Sequence, residues 1–485
     1  TVTSQIATVV FGANSFFFYV VQVFTALILV LAANTAFADF PRLAGILSRE
    51  KFLPRVFQSR GDRLAFSNGI VFLSLAAVGV LIRYQADIHK IIPLYVVGVF
   101  TTFTLSQTGM VVRSWKLRSR SWKRTALINT FGALTTFVVL IVIASTKFML
   151  GAWQVILLIP VVAYFFWRVH RHQLDVEKAL GVHLADATDL KSQYRIRANK
   201  AVVLVSPFAG GTLRAYAYAR SIGPRELHAV AFRVPEKRMR DVRKRWGALG
   251  IETQIEATGH RFADLAEYIR GLDPSDNAPV TVVVADPQYP NWIEQVRKNL
   301  LLLRIKRRLM YLDGVIVTSV PFSPEHEPPV DKVKLPARLA LMVVISRLDL
   351  TTIRAIEYAR SLHPAELTAM MICTDPGESD QLARKWEQFG IDVPLEIVDS
   401  PYREIVNPIV REVRDRIPNP DDVVGVVVPE FVASGLWQHL LHNEPQTAFL
   451  IKAALLFEPN VTVIDMPYRL DRRQVKATAA ATVAP

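Results

Sequence analysis

The sequence contains a single cysteine, Cys373, among 485 residues, which excludes an intramolecular disulfide and a cysteine-rich metal site. Cys373 lies in the strand-like run ELTAMMICT, where we expect a buried, unreactive thiol. The sequence also lacks the HExxH, GxSxG and Walker sequences, and its ten histidines show no metal-ligand spacing. We therefore predict no enzyme, no catalytic residue and no metal site.

Acidic residues are scarce in the first third of the chain. Residues 1–175 hold 17 lysines and arginines but only 5 aspartates and glutamates. Five uncharged apolar runs separate the basic clusters: Asn14–Ala38, Leu64–Ile82, Ile91–Val112, Thr125–Thr146 and Phe148–Trp167. A helix of about 20 residues crosses the roughly 30 Å of bilayer hydrocarbon. The pattern predicts an all-α transmembrane bundle over 1–173, and it favours a membrane over nucleic acid as the reason for the basic charge.

The loops between these runs carry most of their basic charge on one side. Fourteen lysines and arginines follow the first, third and fifth runs, whereas Arg83, Lys90 and Lys147 lie on the other side. Because basic loops stay in the cytoplasm, we expect Thr1 outside and everything after Trp167 inside a cell membrane. The missing initiator methionine and the five helices predict that the sequence is the later part of a longer protein.

Three stretches of the membrane region resemble a known family. They are ANTAFADFPRLAGILSREKFLPRVF, GDRLAFSNGI and IPLYVVGVFTTFTLSQTGMV. They resemble bacterial permeases of the amino acid–polyamine–organocation superfamily, most of all the branch of proton-coupled potassium-uptake permeases that carry a cytosolic domain. The resemblance implies a twelve-helix inverted-repeat fold, of which these would be the last five helices. The first, third and sixth helices, which would supply most of the ion site, would lie outside this sequence.

Neutral polar residues are the candidate substrate ligands, because the five runs contain no charged side chain. The resemblance places a substrate-lining tyrosine at Tyr95, whose hydroxyl oxygen can face a cation. Thr102 and Ser106 follow on the same predicted helix, and Asn34 lies near the inner end of the first run. Each has an alternative: Tyr95 in the interfacial aromatic belt, the hydroxyl residues as contacts between helices, and Asn34 as a cap or packing residue.

The remaining two thirds of the chain repeat themselves. After a linker over 174–199, LRAYAYARSIGPRELHAVAF aligns with IRAIEYARSLHPAELTAMMI at an offset of 140 residues. Short β-branched runs alternate with helical stretches in each copy, which is typical of a doubly wound parallel sheet. We predict two tandem α/β domains over 200–325 and 336–470, followed by a disordered tail over 471–485.

The tandem domains resemble the universal-stress-protein fold. Its nucleotide-binding members carry Gly-x-x-Gly, nine residues and Gly-Ser/Thr, whose backbone N–H groups hold phosphate at the carboxyl ends of the strands. This sequence has no such match, and Gly210–Gly211 predicts only a tight turn that starts a helix. We expect no cofactor beyond the transported potassium ion and the coupling protons, and a regulatory nucleotide is left open.

These features predict a secondary transporter, most of all one for proton-coupled potassium uptake, with cytosolic regulatory or dimerisation domains. Two alternatives stay open: an amino-acid or polyamine permease of the same superfamily, and a membrane-anchored nucleotide-sensing stress module. The predicted partners are the lipid bilayer, a small cation or amino-acid substrate, and a second copy of the chain joined through the cytosolic domains. No nucleic-acid partner is expected.

Overall fold

The structure is a computed structural model that divides into two compact units: Thr1–Gly61 with Ala65–Gln173, and Asp62–Leu64 with Leu174–Pro485. It describes residues 2–12, 15–57, 66–118, 121–181, 194–205, 209–289, 292–324, 336, 338–373, 376–400, 404–417, 419, 422–431 and 444–468. The predicted tail, residues 182–193 of the predicted linker and nearly all of the boundary between the two predicted cytosolic domains lie outside the described residues.

The first unit is helical. Its helices are α1 (Val2–Phe11), α2 (Phe16–Arg49), α3 (Ser67–Tyr84), α4 (Ile88–Leu117), α5 (Trp122–Thr146) and α6 (Ala152–Leu180), the end of which passes into the second unit. Short 3₁₀ turns follow α2 and precede α6, at Arg55–Phe57 and Phe148–Leu150. Helices α2 to α6 are long and apolar enough to cross a membrane, in agreement with the five apolar runs.

All five membrane helices extend beyond the runs that predict them, and α2 and α6 extend furthest. Helix α2 has 34 residues and includes Pro41, so it is about 51 Å long. The prediction that Arg42 and Arg49 lie in a loop is therefore wrong, because the helix continues through the proline. Helix α6 continues past Trp167 to Leu180, since the basic segment after Trp167 contains no glycine or proline before its end. The ten-residue α1 was not predicted, because its apolar stretch is too short to span a membrane.

Helices α2 and α3 approach each other closely at two glycines. A Cβ on Gly69 of α3 would lie 2.8 Å from Cβ of Pro41, and one on Gly45 of α2 would lie 2.8 Å from the Phe66 ring. Both distances are too short for a real side chain. Small residues therefore set the separation of this helix pair, as is usual for helices that pack in lipid.

The second unit is built on one ten-stranded sheet. Its strands are β1 (Lys200–Val205), β2 (Glu226–Ala231), β3 (Ile255–Ala257), β4 (Val280–Pro287), β5 (Val315–Phe322), β6 (Arg338–Ile345), β7 (Glu366–Cys373), β8 (Leu395–Asp399), β9 (Asp422–Phe431) and β10 (Val461–Tyr468). Their order is β3-β2-β1-β4-β5-β10-β9-β6-β7-β8. Neighbours are parallel within each half, and β5 pairs antiparallel with β10. The two halves therefore have the same strand order and join edge to edge.

Helices cover both faces of this sheet. They are α7 (Ala209–Ser221), α8 (Glu236–Ala248), α9 (Phe262–Gly271), α10 (Trp292–Leu309), α11 (Leu350–Ser361), α12 (Pro376–Gln388), α13 (Val406–Asp415) and α14 (Glu444–Leu455). On one face a single core runs through both halves beneath α7, α8, α11 and α12. The other face has one core beneath α9 and α10 and one beneath α13 and α14. Cys373 ends β7 and is buried, as expected.

Equivalent aromatic residues have the same environment in the two halves. The indole N–H of Trp246 donates to the carbonyl of Thr253 at 2.8 Å, and that of Trp386 donates to the carbonyl of Val393 at 2.9 Å. In both cases the acceptor lies seven residues further along the chain. The shared contact gives a structural reason for the tryptophans at the 140-residue offset.

Two equivalent tyrosines are buried between the halves. Tyr218 of α7 and Tyr358 of α11 are 2% and 0% exposed. The Tyr358 hydroxyl reaches across to the other half, where it lies 2.9 Å from Oγ1 of Thr281 in β4. Burial raises the pKa of both tyrosine hydroxyls above the ordinary value. Both therefore remain neutral over the physiological pH range.

Candidate functional site

Helix α4 positions three of the four predicted substrate residues. The helix begins at Asp87, whose carboxylate accepts a hydrogen bond from the backbone N–H of His89 at 3.0 Å. Tyr95, Thr102 and Ser106 are spaced seven and four residues apart. With 3.6 residues per turn, that spacing places all three on one face of the helix.

The opposite face of α4 packs against α5. Thr104 donates to the hydroxyl of Thr136 on α5 at 3.0 Å. A Cβ on Gly132 of α5 would lie 3.2 Å from the amide carbon of Gln107, so that side chain rests on the glycine. These residues hold two helices together, which is the alternative role that the sequence offers for hydroxyl residues here.

The face with Tyr95 is open within this unit. Tyr95 is 69% exposed, and nothing lies within 4 Å of a Cβ added to Gly98 or Gly109 on the same side of the helix. The Thr102 hydroxyl donates to the carbonyl of Gly98 at 2.9 Å, which leaves its oxygen lone pairs available to a cation. The face thus offers neutral oxygen atoms beside small residues, a chemistry that suits a weakly hydrated cation.

Asn34 lies on α2 and is not brought to this face by the main helix contacts. Helix α2 packs chiefly on α1 and α3, whereas α4 packs on α5. Asn34 is exposed. Among the residues that the structure describes, its amide makes no hydrogen bond. The roles of Tyr95, Thr102, Ser106 and Asn34 in transport stay predictions.

A second set of charged residues, at the carboxyl ends of two strands, was missed by the sequence analysis. In the first half, Lys306 of α10 donates to Asp286 of β4, and both side chains are buried. Asn299 donates to the carbonyl of Pro287 at 2.9 Å beside them. Lysine and aspartate are rarely buried unless they are paired. The burial of Lys306 and that of Asp286 therefore depend on each other.

The second half has an equivalent but larger set. Lys452 of α14 lies 2.7 Å from Oε2 of Glu430 in β9 and 3.0 Å from Oδ1 of Asp465 in β10. Burial alone would lower the pKa of the Lys452 ammonium, but the carboxylates of Asp465 and Glu430 outweigh it and raise the pKa. Asp286 pairs with Pro321 and Glu430 pairs with Pro467 in the neighbouring strands, so the two sets occupy matching positions.

The sequence carries a signal for only one of these lysines. Lys452 interrupts an otherwise apolar helix segment, whereas Lys306 lies among Arg304, Arg307 and Arg308. At the carboxyl ends of the strands in the first half, Gly211 has a packing role, because a Cβ there would lie 2.5 Å from the Phe322 ring. Gly210 and Gly211 lie in the first turn of α7, so the predicted helix start is present. The tight turn itself stays a prediction, because residues 206–208 lie outside the described residues.

Within the described ranges, no group of three or more His, Cys, Asp or Glu residues is placed to hold a metal ion. The chemistry available is therefore that of neutral oxygen atoms on α4 and of paired charges within the sheet.

Comparison with known proteins identifies the family. Residues 197–322 and 337–468, more than half of the chain, match the family described as the KimA potassium transporter C-terminal domain. Residues 1–167 match the family described as amino acid permease. The chain is 34% identical over 339 residues to the potassium transporter KimA of Bacillus subtilis (strain 168), an alignment that covers 66% of this chain and 53% of that protein. It thus spans about half the length of that relative. The chain belongs to the family of the KimA potassium transporter C-terminal domain, and this domain follows a segment of a multi-pass membrane protein that is similar to the family described as amino acid permease.

Proposed function

We propose that this chain is part of a secondary transporter that takes up potassium ions together with protons. One observation carries the proposal: a permease segment and a KimA-type C-terminal domain occur in the same chain, in the same order as the units of the structure. The relative that shares the sequence is named a potassium transporter. The loop charges favour a cytoplasmic position for the sheet.

We propose that the open face of α4 lines the ion path, with Tyr95, Thr102 and Ser106 as oxygen ligands and Asn34 near the inner end. Removing one neutral oxygen from a site with several ligands should weaken ion binding by about 1–2 kcal/mol. That corresponds to a roughly 5- to 30-fold lower affinity. The Tyr95→Phe change removes this oxygen and keeps the ring.

The test uses the full-length protein in cells that have no other potassium uptake. Tyr95→Phe should raise the half-saturating potassium concentration by about 5- to 30-fold, with unchanged protein abundance. Tyr164→Phe is the matched control, because Tyr164 of α6 is similarly exposed at 58% and lies on another helix. Unchanged uptake kinetics in Tyr95→Phe would show that the Tyr95 hydroxyl does not bind the ion and that Tyr95 belongs to the interfacial aromatic belt.

An amino-acid or polyamine permease is the second candidate, because the family matched by residues 1–167 is described as amino acid permease. The same cells distinguish the two. If an amino acid competes with potassium, or is taken up while potassium is not, the second candidate replaces the first.

We propose that 200–325 and 336–470 are two copies of one doubly wound domain of the universal-stress type, placed after the membrane region 1–173 and the linker 174–199. Three observations support this: the 140-residue offset, the same strand order in both halves, and a family match to both segments. Since β5 and β10 already pair, the free edges of the sheet are β3 and β8.

We also propose a homodimer through the cytosolic sheet unit. The equivalent helices α10 and α14 expose large apolar side chains, among them Leu301 at 48% and Phe449 at 64%. Exposed apolar surface of this kind marks interaction sites. Leu301→Lys combined with Phe449→Lys should convert the full-length dimer in detergent to a monomer by light scattering. A dimer that survives this change places the interface elsewhere.

A further inference from the structure

A histidine lies between two glutamates at one end of the sheet. The Nε2 atom of His228 in β2 is 3.6 Å from Oε2 of Glu226, and its Nδ1 atom is 3.7 Å from Oε1 of Glu256 in β3. Both contacts are ion pairs only when the imidazole ring is protonated on both nitrogen atoms. Since β3 is the last strand at this end of the sheet, the charge of the ring contributes to holding β3 against β2.

Two further titratable groups contact this cluster within the described part of the chain. The hydroxyl of Tyr268 on α9 is 3.1 Å from Nδ1 of His228. The Nζ atom of Lys200 in β1 is 3.7 Å from Oε2 of Glu226. Burial and the negative charge of Glu256 raise the pKa of Tyr268, so its hydroxyl stays neutral near pH 7. Lysine and glutamate ordinarily keep their charges between pH 6 and 8, whereas histidine ordinarily changes its charge in that range.

The equivalent position in the second half holds a permanent charge instead. At the 140-residue offset, Glu366 of β7 and Glu396 of β8 replace the two glutamates, and Thr368 replaces the histidine. Arg416, which follows α13, donates to Oε1 of Glu366 at 3.2 Å and to Oγ1 of Thr368 at 2.7 Å. It also donates to Glu396. Because a guanidinium group is always charged in proteins, these two glutamates have a cation at every physiological pH.

The charge of the His228 ring changes the contacts that hold β3 and α9 to β2. When the ring is neutral, the Tyr268 hydroxyl can donate to Nδ1, but neither glutamate has an ion pair with the ring. The Nε2 atom is then left buried and without a hydrogen-bond partner among the described residues. When the ring is protonated, both nitrogen atoms are donors that face a carboxylate. The ion pairs are therefore present at acidic pH and are lost as the pH rises through the range in which histidine titrates.

We propose that His228 is a pH sensor of the sheet unit, which tightens the junction of β2, β3 and α9 at acidic pH and loosens it as the pH rises. Strand β3 has only three residues, so few backbone hydrogen bonds compete with this side-chain contribution. The side chains of Glu226 and Glu256 are 45% and 53% exposed, so protons reach the cluster from solvent. Exposed ion pairs are individually weak, and the change is therefore a local loosening. This role does not depend on which substrate the membrane unit carries.

The test is hydrogen–deuterium exchange of the purified full-length protein in nanodiscs at pH 6 and pH 8. Mass spectrometry reads the exchange, and the rates are corrected for the intrinsic effect of pH. The protection of amides in β3 and α9 should be about two- to fivefold lower at pH 8, which is the size of effect expected from exposed ion pairs. The protection of amides in β8 and α13 should not change, because Arg416 keeps its charge. The second half is thus an internal reference in the same molecule.

Two substitutions of His228 separate the effect of charge from that of shape. His228→Gln removes the titratable group, so the protection of β3 and α9 should be the same at pH 6 and pH 8. His228→Lys keeps a positive charge at both pH values, so the protection at pH 8 should exceed that of His228→Gln. His260→Gln is the matched control, because His260 lies between β3 and α9, is exposed and forms no ion pair within the described residues. It should keep the pH dependence of the parent protein.

Equal changes in the two halves of the parent protein would overturn the proposal, since a general effect of pH acts on both halves. A pH dependence that persists in His228→Gln, or that disappears in His260→Gln, would overturn it as well. Protection in His228→Lys no higher than in His228→Gln at pH 8 would show that the charge of this side chain is not the cause. The comparison of the two halves needs only the parent protein, so it stands even if a variant does not fold.

Discussion

The membrane unit and the cytosolic sheet unit satisfy their polar groups in opposite ways. In α4 the hydroxyls of Thr101, Thr102 and Thr108 each donate to a carbonyl four residues back. In the sheet unit, Lys306 and Lys452 form ion pairs with carboxylates. A helix in lipid must satisfy each polar group within the protein, so neutral groups bonded to their own helix are favoured. A water-soluble core tolerates a charge that has a partner.

The two halves of the sheet differ in the number of carboxylates that contact the equivalent lysine. Lys306 has one carboxylate, Asp286, with the amide of Asn299 beside it. Lys452 has two carboxylates, Glu430 and Asp465. Loss of the second lysine would therefore take an ion-pair partner from two carboxylates, whereas loss of the first would take it from one. Two halves with the same strand order can thus differ in the stability that is lost when an equivalent residue is replaced.

Lys452→Met is expected to cause the largest loss of unfolding free energy. It removes the ammonium group that contacts both Glu430 and Asp465, and breaking a buried pair costs about 3–5 kcal/mol. Lys306→Met should cost less, because only Asp286 loses its partner. Chemical unfolding of the cytosolic unit in the purified full-length protein measures both free energies. Equal losses would remove the difference between the two halves.

A smaller effect is expected from the buried tyrosines at alkaline pH. The pKa of Tyr218 and Tyr358 is raised in the folded state, so their contribution to stability is complete below about pH 10 and is lost as the pH rises above it. At pH 11 the two together should lose about 2–3 kcal/mol. Thermal unfolding from pH 8 to 11 should show a shallower decline in the double variant Tyr218→Phe, Tyr358→Phe. The same decline in the parent protein and in the double variant would show that the two tyrosines do not cause the loss of stability at alkaline pH.

The smallest effect is expected in the membrane unit. Thr104→Val removes the hydrogen bond from α4 to Thr136 of α5, and bonds of this kind contribute about 0.6 kcal/mol in membrane helices. Thr108→Val is the control, because its hydroxyl bonds only within α4 among the contacts described. Thermal unfolding in detergent should separate the two variants slightly. A larger loss in the control would show that the contact between α4 and α5 is not the stabilising one.

Much of the fold could be predicted because its signals are local. The length of each apolar run predicts α2 to α6, and the 140-residue offset predicts equivalent halves. The helical continuation through Pro41 could not be predicted, because a proline and a following arginine resemble the end of a span. The antiparallel pairing of β5 with β10 could not be predicted either, because the residue pattern of one strand does not specify which other strand pairs with its edge.

The candidate site was only partly predictable for a similar reason. The spacing of Tyr95, Thr102 and Ser106 predicts a shared face, because helical periodicity is a property of one segment. Lys306 and Lys452 were missed because lysine is ordinarily a surface residue. Asp286 precedes Lys306 by 20 residues, whereas Lys452 follows Glu430 by 22 residues and precedes Asp465 by 13. Only the packing of a helix on a strand end brings each lysine to its carboxylate.

Potassium flux in proteoliposomes containing the full-length protein tests the central claim most directly. With an inward proton gradient, we predict uptake of potassium that stops when the gradient is collapsed and that excess amino acid does not inhibit. Uptake of an amino acid by the same vesicles, with no potassium flux under either condition, would contradict the account.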